Sequence, residues 1–431
     1  MERTSGAASA REAHVAGAAA RGEAASPSGV AGLVDPTARA YWQDTHRILA
    51  PLRERAPLAR STAGDYEVLR YDDVEAVLRD ARTKQALYAM LEHQGIGSGP
   101  LFDWWQNLMN ALDPPRHSRL RGLVGRAFTP RQVARLRPRI RAIAHRLIDE
   151  AADAGEVDLV ATFCHGLPLE VLCAMVGIES EDRALFERWT DIVSNAFSAV
   201  IPPESRATIE RAIVEFDAAA TDLVERRRRA RSDETLLDEL IAVEEAGERL
   251  SNVELRALIL NLLFAGHDTT KSLLANLLWT LASHPDELAR LRAAPELVAS
   301  AVEEVARYET PTPSIPRIAT EPLVVGGVSI PAGTYLALSV PSANRDPRRF
   351  AEPDRFDVAR NDPRHFTFGH GVHHCVGAAI ARAEIQEALS ALLERGFTLE
   401  PRIDRPEWTA FLSTRRIAAL PGRFGVARRG C

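Results

Sequence analysis

Residues 251–282 constrain this 431-residue chain most strongly. Ser251 and Glu254 form the S-x-x-E pattern of a helix capping box. Leu255, Leu258, Ile259, Leu262 and Leu263, then Leu273, Leu274, Leu277 and Leu278, follow at helical spacing. About 31 residues at roughly 1.5 Å each predict a helix of about 47 Å. It is apolar nearly all round, as expected of a helix threading a core. Gly266-His267-Asp268-Thr269-Thr270-Lys271 in its middle argues against a membrane span. A carboxylate and two hydroxyls there are costly unless paired. One reading is a satisfied polar patch or a kink, with Thr bonding the carbonyl four residues back and Gly266 allowing a local opening. The other is a proton relay, with Asp268 as carrier and Thr269 as hydrogen-bond donor.

The length allows one large domain or two to three smaller ones. With 46% hydrophobic and 26% charged residues, the chain has the balance of a soluble globular protein. A net charge of −6 gives no reason to expect nucleic acid or an anionic membrane as partner. Four cysteines without a C-x-x-C pair make no disulfide scaffold, and a reducing cytoplasm is expected. Residues 1–33, rich in Ala, Gly, Ser and Arg, read as a disordered tail without a signal peptide or membrane anchor. From Asp35 to about residue 310 the pattern is mostly helical, with 140–151 and 182–197 as examples. Arg226 to Arg229 read as a solvated helix end before an acidic stretch over 233–248. Residues 323–330 and 335–340 look like strands around Gly and Pro turns. Helix returns after Cys375 and ends near Gly396. The fold class expected is mainly α with a small β component.

A second constellation is Phe368-Gly369-His370-Gly371-Val372-His373-His374-Cys375-Val376-Gly377. The glycines let the backbone approach a flat partner closely. Cys375 stands before a helix expected to start near Val376, whose free N–H groups favour a thiolate. From these residues alone, Cys375 is an inert buried cysteine, a nucleophile, a metal ligand, or part of a zinc site with His365, His370, His373 and His374. Histidines and cysteine in a row at a helix start point apart, and no second cysteine cluster completes four ligands. A nucleophile explains neither the glycine spacing nor Phe368.

Together these residues resemble the cytochrome P450 superfamily, from about residue 35 to 427 and in the expected order. Phe368-x-x-Gly371-x-x-x-Cys375-x-Gly377 resembles the heme loop. Ala265-Gly266-x-Asp268-Thr269-Thr270 resembles the oxygen-activating segment of the long central helix. Glu304-x-x-Arg307, with Arg355 in Pro353-Asp354-Arg355-Phe356, resembles the structural Glu-Arg-Arg triad. His117-x-x-x-Arg121, Arg317 and His373 match positions that hold heme propionates, where buried carboxylates need charge-assisted donors. The resemblance implies one helix-rich domain over 34–431 enclosing heme b, with Cys375 as axial iron ligand and Phe368, Gly369, Gly377, Ala265 and Gly266 beside the cofactor. His267 fills a variable position where it could touch substrate or water.

The implied reaction is oxidation of an apolar small molecule with O2. Electrons come from a separate ferredoxin with its reductase, or from a flavodoxin-like donor. Terpenoid, steroid, fatty-acid and polyketide-like substrates are all compatible. Trp104, Leu262, Ala265, Ser314, Ile315 and Leu412 are expected along the pocket, although Trp104 and Trp105 equally suit a packed aromatic pair. Arg116, Arg119 and Arg126 are candidates for a basic donor-docking patch. No nucleic-acid partner is expected, and a monomer is. A peroxide-driven peroxygenase and a non-catalytic heme protein are the alternatives; Asp268 and Thr269 favour O2 activation over both.

Overall fold

The computed structural model describes residues 29–427, except 63, 88–90, 93, 198–200, 231–234, 246–249, 361, 363 and 412–413. Its centre is the helix Asn252–Ser283, 32 residues long. The capping box forms in both directions: the Ser251 Oγ accepts from the Glu254 N–H, and Glu254 accepts from the Ser251 N–H. Helices His165–Val176, Arg183–Ser194, Pro203–Ala230, Val298–Tyr308 and Ala378–Glu394 pack around it. Their apolar faces form one large core with Leu258, Leu274, Leu277, Leu278 and Leu281, which is why this helix is apolar all round. Among the described residues, no helix is long and apolar enough to cross a membrane.

The β component forms four sheets, of which the strand Thr414–Ile417 packs directly on the central helix. A mixed six-stranded sheet runs Val30–Val34, Leu58–Ser61, Tyr66–Val68, Tyr335–Ser339, Ser314–Ala319 and Thr83–Gln85 in spatial order. Residues 323–330 fold as a hairpin, Leu323–Val325 against Val328–Ile330. Gly326 and Gly327 turn it with positive φ of 54° and 84°, the backbone a tight hairpin demands. Three smaller sheets and the helical remainder match the expected class.

Several expectations change. Val30–Val34 pairs in parallel with Leu58–Ser61, so the tail does not extend to residue 33; residues 1–28 lie outside the described residues. The basic run is more than a solvated helix end. Arg226 bonds Asp182 at 2.8 Å, Arg227 bonds Asp238 at 2.5 Å, and Arg228 bonds Glu244. The acidic stretch supplies Asp238 and Glu244 from the helix Leu236–Glu245, whereas Asp182 stands at the N-cap of the helix Arg183–Ser194.

The triad is also different. Arg307 grips both carboxylate oxygens of Glu304 at 2.7 and 2.8 Å. The third member is Arg360, whose Nε bonds Glu304 Oε1 at 3.0 Å. Arg355 points outward to exposed Glu352, and only its backbone carbonyl meets Arg307 and Arg360.

Candidate active site

The middle of the central helix and the 366–377 loop face each other across a cavity of about 400 Å³. Leu262, Ala265, Thr269, Thr270 and Leu273 line it from the helix; Phe368, Gly369, Cys375 and Gly377 line it from the loop. The loop is tied by the Cys375 N–H donating to the Phe368 carbonyl at 2.8 Å. Gly369 and Gly371 have φ of 70° and 68°, and a Cβ on Gly371 would lie 3.3 Å from the Leu78 carbonyl oxygen.

The helix after the cysteine is Ala378–Glu394, capped by Gly377, so it begins two residues later than expected. The N–H groups there favour the thiolate: those of Gly377 and Ala378 draw the Cys375 pKa down. Burial nevertheless dominates and pushes the Cys375 thiol above its ordinary pKa, against the pull of Gly377, Arg121 and Arg382. Cys375 is itself exposed toward the cavity, where a bound cation would favour its thiolate. Among the described residues, no cluster of three or more His, Cys, Asp or Glu is placed to hold a metal ion, so the zinc alternative has no ligand set. His365 instead bonds Glu303 at 3.2 Å.

His117, Arg121, Arg317 and His373 all line this cavity. The rings of His117 and His373 stand 4.1 Å apart. His117 is 2% exposed and its Nδ1 has no partner. Burial, then His373 and Arg121, lower its pKa to about 4. Arg317 is 3% exposed, bonds only the Gln85 amide oxygen and the Pro316 carbonyl, and is lowered by burial to about 10. Burial also lowers Arg121. The nearest carboxylate to this group is Asp113, 3.8 Å from His373 Nε2. Buried cations short of anions suit a cofactor that brings two carboxylates to a flat ring above a thiol, as heme b does.

On the opposite wall the relay candidates have partners. Asp268 Oδ1 accepts from Arg416 Nη1 at 2.7 Å. Thr269 Oγ1 donates to the Ala265 carbonyl at 2.8 Å, so at rest it offers the cavity an acceptor and must release that bond to act as the expected donor. The helix does not open at Gly266. A Cβ there would come within 2.9 Å of Leu172, so this glycine permits close packing of two helices. His267 faces away from the cavity. It is 3% exposed, contacts the His165 ring, and is held by burial at a pKa of about 3.

Leu262, Ala265, Ser314 and Ile315 line the cavity as expected. Trp104 does not; it packs edge-on against Trp105 and Phe197. Leu412 lies outside the described residues. Arg119 is drawn into a helix-to-helix pair with Glu254 and Arg116 is exposed, while the Arg126 side chain is outside the described set. Phe197 and Phe264 stack at 4.3 Å on the pocket wall, and sequence reasoning missed Asn110, Asn261 and Glu384 there. Burial pushes the Glu384 carboxyl well above its ordinary pKa.

Comparison with known proteins agrees with this geometry. The chain matches the cytochrome P450 family over residues 68–423. It is 38% identical to cytochrome P450 107B1 of Saccharopolyspora erythraea, over 90% of this chain and 96% of that one. It is 33% identical to the polyketide biosynthesis cytochrome P450 PksS of Bacillus subtilis, over 90% and 98%. The crystal structure of CalO2 superposes with a TM-score of 0.86 at 30% identity, covering 91% of this chain and 99% of the other. The chain therefore belongs to the cytochrome P450 family of heme b-binding monooxygenases.

Proposed function

We propose that this monooxygenase oxidises an apolar secondary metabolite of polyketide type, with O2 and electrons from a separate ferredoxin or flavodoxin-like donor. The observation that carries the reading is the cavity itself: the Cys375 thiol and the Thr269 hydroxyl line one mostly apolar space, with His117, Arg121, Arg317 and His373 beside it. The relative from Bacillus subtilis, named for polyketide biosynthesis, supports the substrate class. Two free, buried cysteines, Cys164 and Cys173, suit a reducing cytoplasm.

In this reading the Cys375 sulfur holds the heme iron, and the Gly377 and Ala378 N–H groups steady the sulfur. His117, Arg121, Arg317 and His373 bind the propionates. Heme bound there would supply the oxygen chemistry, in which one atom of O2 enters the substrate and the other leaves as water with two electrons from the donor and two protons. The protein orients substrate against the apolar wall and controls protons. Asp268 gives up its pairing with Arg416 to pass a proton, and Thr269 turns its hydroxyl from the Ala265 carbonyl toward the cavity. Leu262, Ala265, Ser314 and Ile315 keep the space around the reacting carbon dry.

The spectrum of the reduced, CO-bound protein tests the assignment. A strongly red-shifted Soret band is expected, and Cys375→Ser should abolish it. Wild-type protein without heme would overturn the reading. Turnover with peroxide but none with a reduced ferredoxin and O2 would instead favour a peroxygenase.

A further inference from the structure

Asn261 sits on the central helix one turn before Ala265 and two turns before Thr269. It is 5% exposed, and its Nδ2 has no hydrogen-bond partner. Asn110, in the short turn Met109–Ala111, carries an Oδ1 that is also buried and unpartnered. Both residues line the cavity shared by Cys375 and Thr269. Buried amide atoms without partners are uncommon, because each has left water and gained nothing in return. Of the other polar groups lining the cavity, Glu384 Oε2 and His117 Nδ1 are likewise unpartnered, and four are occupied. Gln85 takes Arg317, Thr269 takes the Ala265 carbonyl, Thr312 takes the Thr367 carbonyl, and Asp268 takes Arg416.

We infer that Asn261 and Asn110 form the polar end of the substrate site, and that the substrate is an apolar skeleton carrying a hydroxyl or keto oxygen. This rests on, and deepens, the function proposed above. The substrate oxygen accepts from Asn261 Nδ2, and a substrate hydroxyl donates to Asn110 Oδ1. Eight residues of helix separate Asn261 from Thr269, about 12 Å along the axis. The anchored oxygen is therefore held well away from the carbon that is oxidised, with Leu262 and Ala265 between them. A hydrocarbon of the same shape leaves both amides unpaired, and sites built in this way reject such analogues strongly.

Spectral titration of the heme-loaded protein with cyclopentadecanol and with cyclopentadecane, from the same cosolvent, tests this. The alcohol is expected to bind at least tenfold more tightly than the hydrocarbon. Asn261→Leu should cut that preference to threefold or less by weakening the alcohol alone, and Asn110→Leu should act in the same direction. A preference unchanged in both variants overturns the inference. So does an equal loss for both probes, or a wild type that binds neither or does not distinguish them. The CO-bound spectrum is recorded first for each protein. Its failure in wild type refutes the proposed function, whereas a normal spectrum with no alcohol preference refutes only the Asn subsite. Should Asn261→Leu lose the signature, Asn261→Val and Asn110→Leu carry the test.

Discussion

Arg360→Ala is expected to destabilise the protein by about 3 kcal/mol, and Arg355→Ala by less than about 1 kcal/mol. The side chains of Glu304 and Arg307 are fully buried. Glu304 Oε1 is held by Arg307, by Arg360 Nε at 3.0 Å, and by the Asp357 N–H at 3.1 Å. Arg360 also donates to the carbonyls of Ala351, Glu352 and Arg355 at 2.8, 3.1 and 3.2 Å. Truncation deletes one charge-assisted bond, worth about 1.5–3 kcal/mol. The three carbonyl bonds add less than their usual roughly 0.5–1.5 kcal/mol each, because water reaches these exposed positions. Arg307 still neutralises Glu304, so the loss stays below the roughly 5 kcal/mol of a fully broken buried pair. Arg355, by contrast, meets Glu352 with side chains 55% and 71% exposed. Pairs of that kind contribute about 0–1 kcal/mol. The assay heats each heme-loaded variant at one scan rate and follows loss of the thiolate–heme absorbance, since unfolding of such a protein is read as a rate. Arg360→Ala should fail several degrees earlier, and Arg360→Lys should fall between, keeping charge without the fork. Equal midpoints, or an earlier failure of Arg355→Ala, would refute the assignment.

Thr269→Ala should retain heme and its CO spectrum while product formation falls by roughly a hundredfold, the low end for a positioned proton donor. Peroxide release against oxygen uptake measures this, and tight coupling in the variant removes Thr269 from the relay. His267 has a folded pKa of about 3 against an ordinary 6.5, so between these values the unfolded chain binds the extra proton. Stability should therefore fall as pH drops through that window, by up to about 1.4 kcal/mol per pH unit for this group. His267→Gln should soften the fall between about pH 7 and 5; denaturation midpoints that track wild type at every pH contradict it. Gly266→Val should cost about 1–3 kcal/mol by driving into Leu172, with Gly266→Ala milder because the Leu172 tip can rotate. A chemical denaturation series including Leu172→Ala checks this: the second change should recover part of the loss, and no recovery would place the strain elsewhere.

What was legible in the sequence was local. The capping box at Ser251, the apolar periodicity after it and the glycines flanking Cys375 each depend on residues a few positions apart, and each folds as expected. Cys375, Ala265, Thr269, Ser314 and Ile315 do meet at one cavity, because the order of motifs preserves their arrangement. Partner choice was not legible. Arg355 and Arg360 lie in the same loop, and only the loop's path decides which guanidinium turns inward to Glu304. Arg416 reaches Asp268 across 148 positions, and no spacing rule encodes that. His267 shares a helix with Asp268, yet one residue of helical rotation turns it from the cavity to His165. Trp104 carried an aromatic signal that suits a pocket wall and a packed cluster alike, and neighbouring rings decided between them.

The cations at the cavity also bear on what the fold is stable for. Burial disfavours the charged forms of His117, Arg121 and Arg317, and no carboxylate of the described chain bonds any of them. In the heme-free chain that arrangement is a cost, because Arg121 and Arg317 have lost water without a carboxylate bonded to them. A ligand with two carboxylates reverses it, since charge-assisted bonds strengthen in a site from which water is excluded. Binding to the folded state alone adds stability by mass action, about 4 kcal/mol at a thousandfold excess over the dissociation constant. The residues that make the heme-free chain less stable are thus the ones that make it retain its cofactor, and the same reasoning applies to Asn261 and Asn110 in the same cavity. Each leaves a polar atom unpaired until the molecule it suits arrives. Selectivity for cofactor and for substrate then follows from one physical cause, the cost of a buried polar group without its partner.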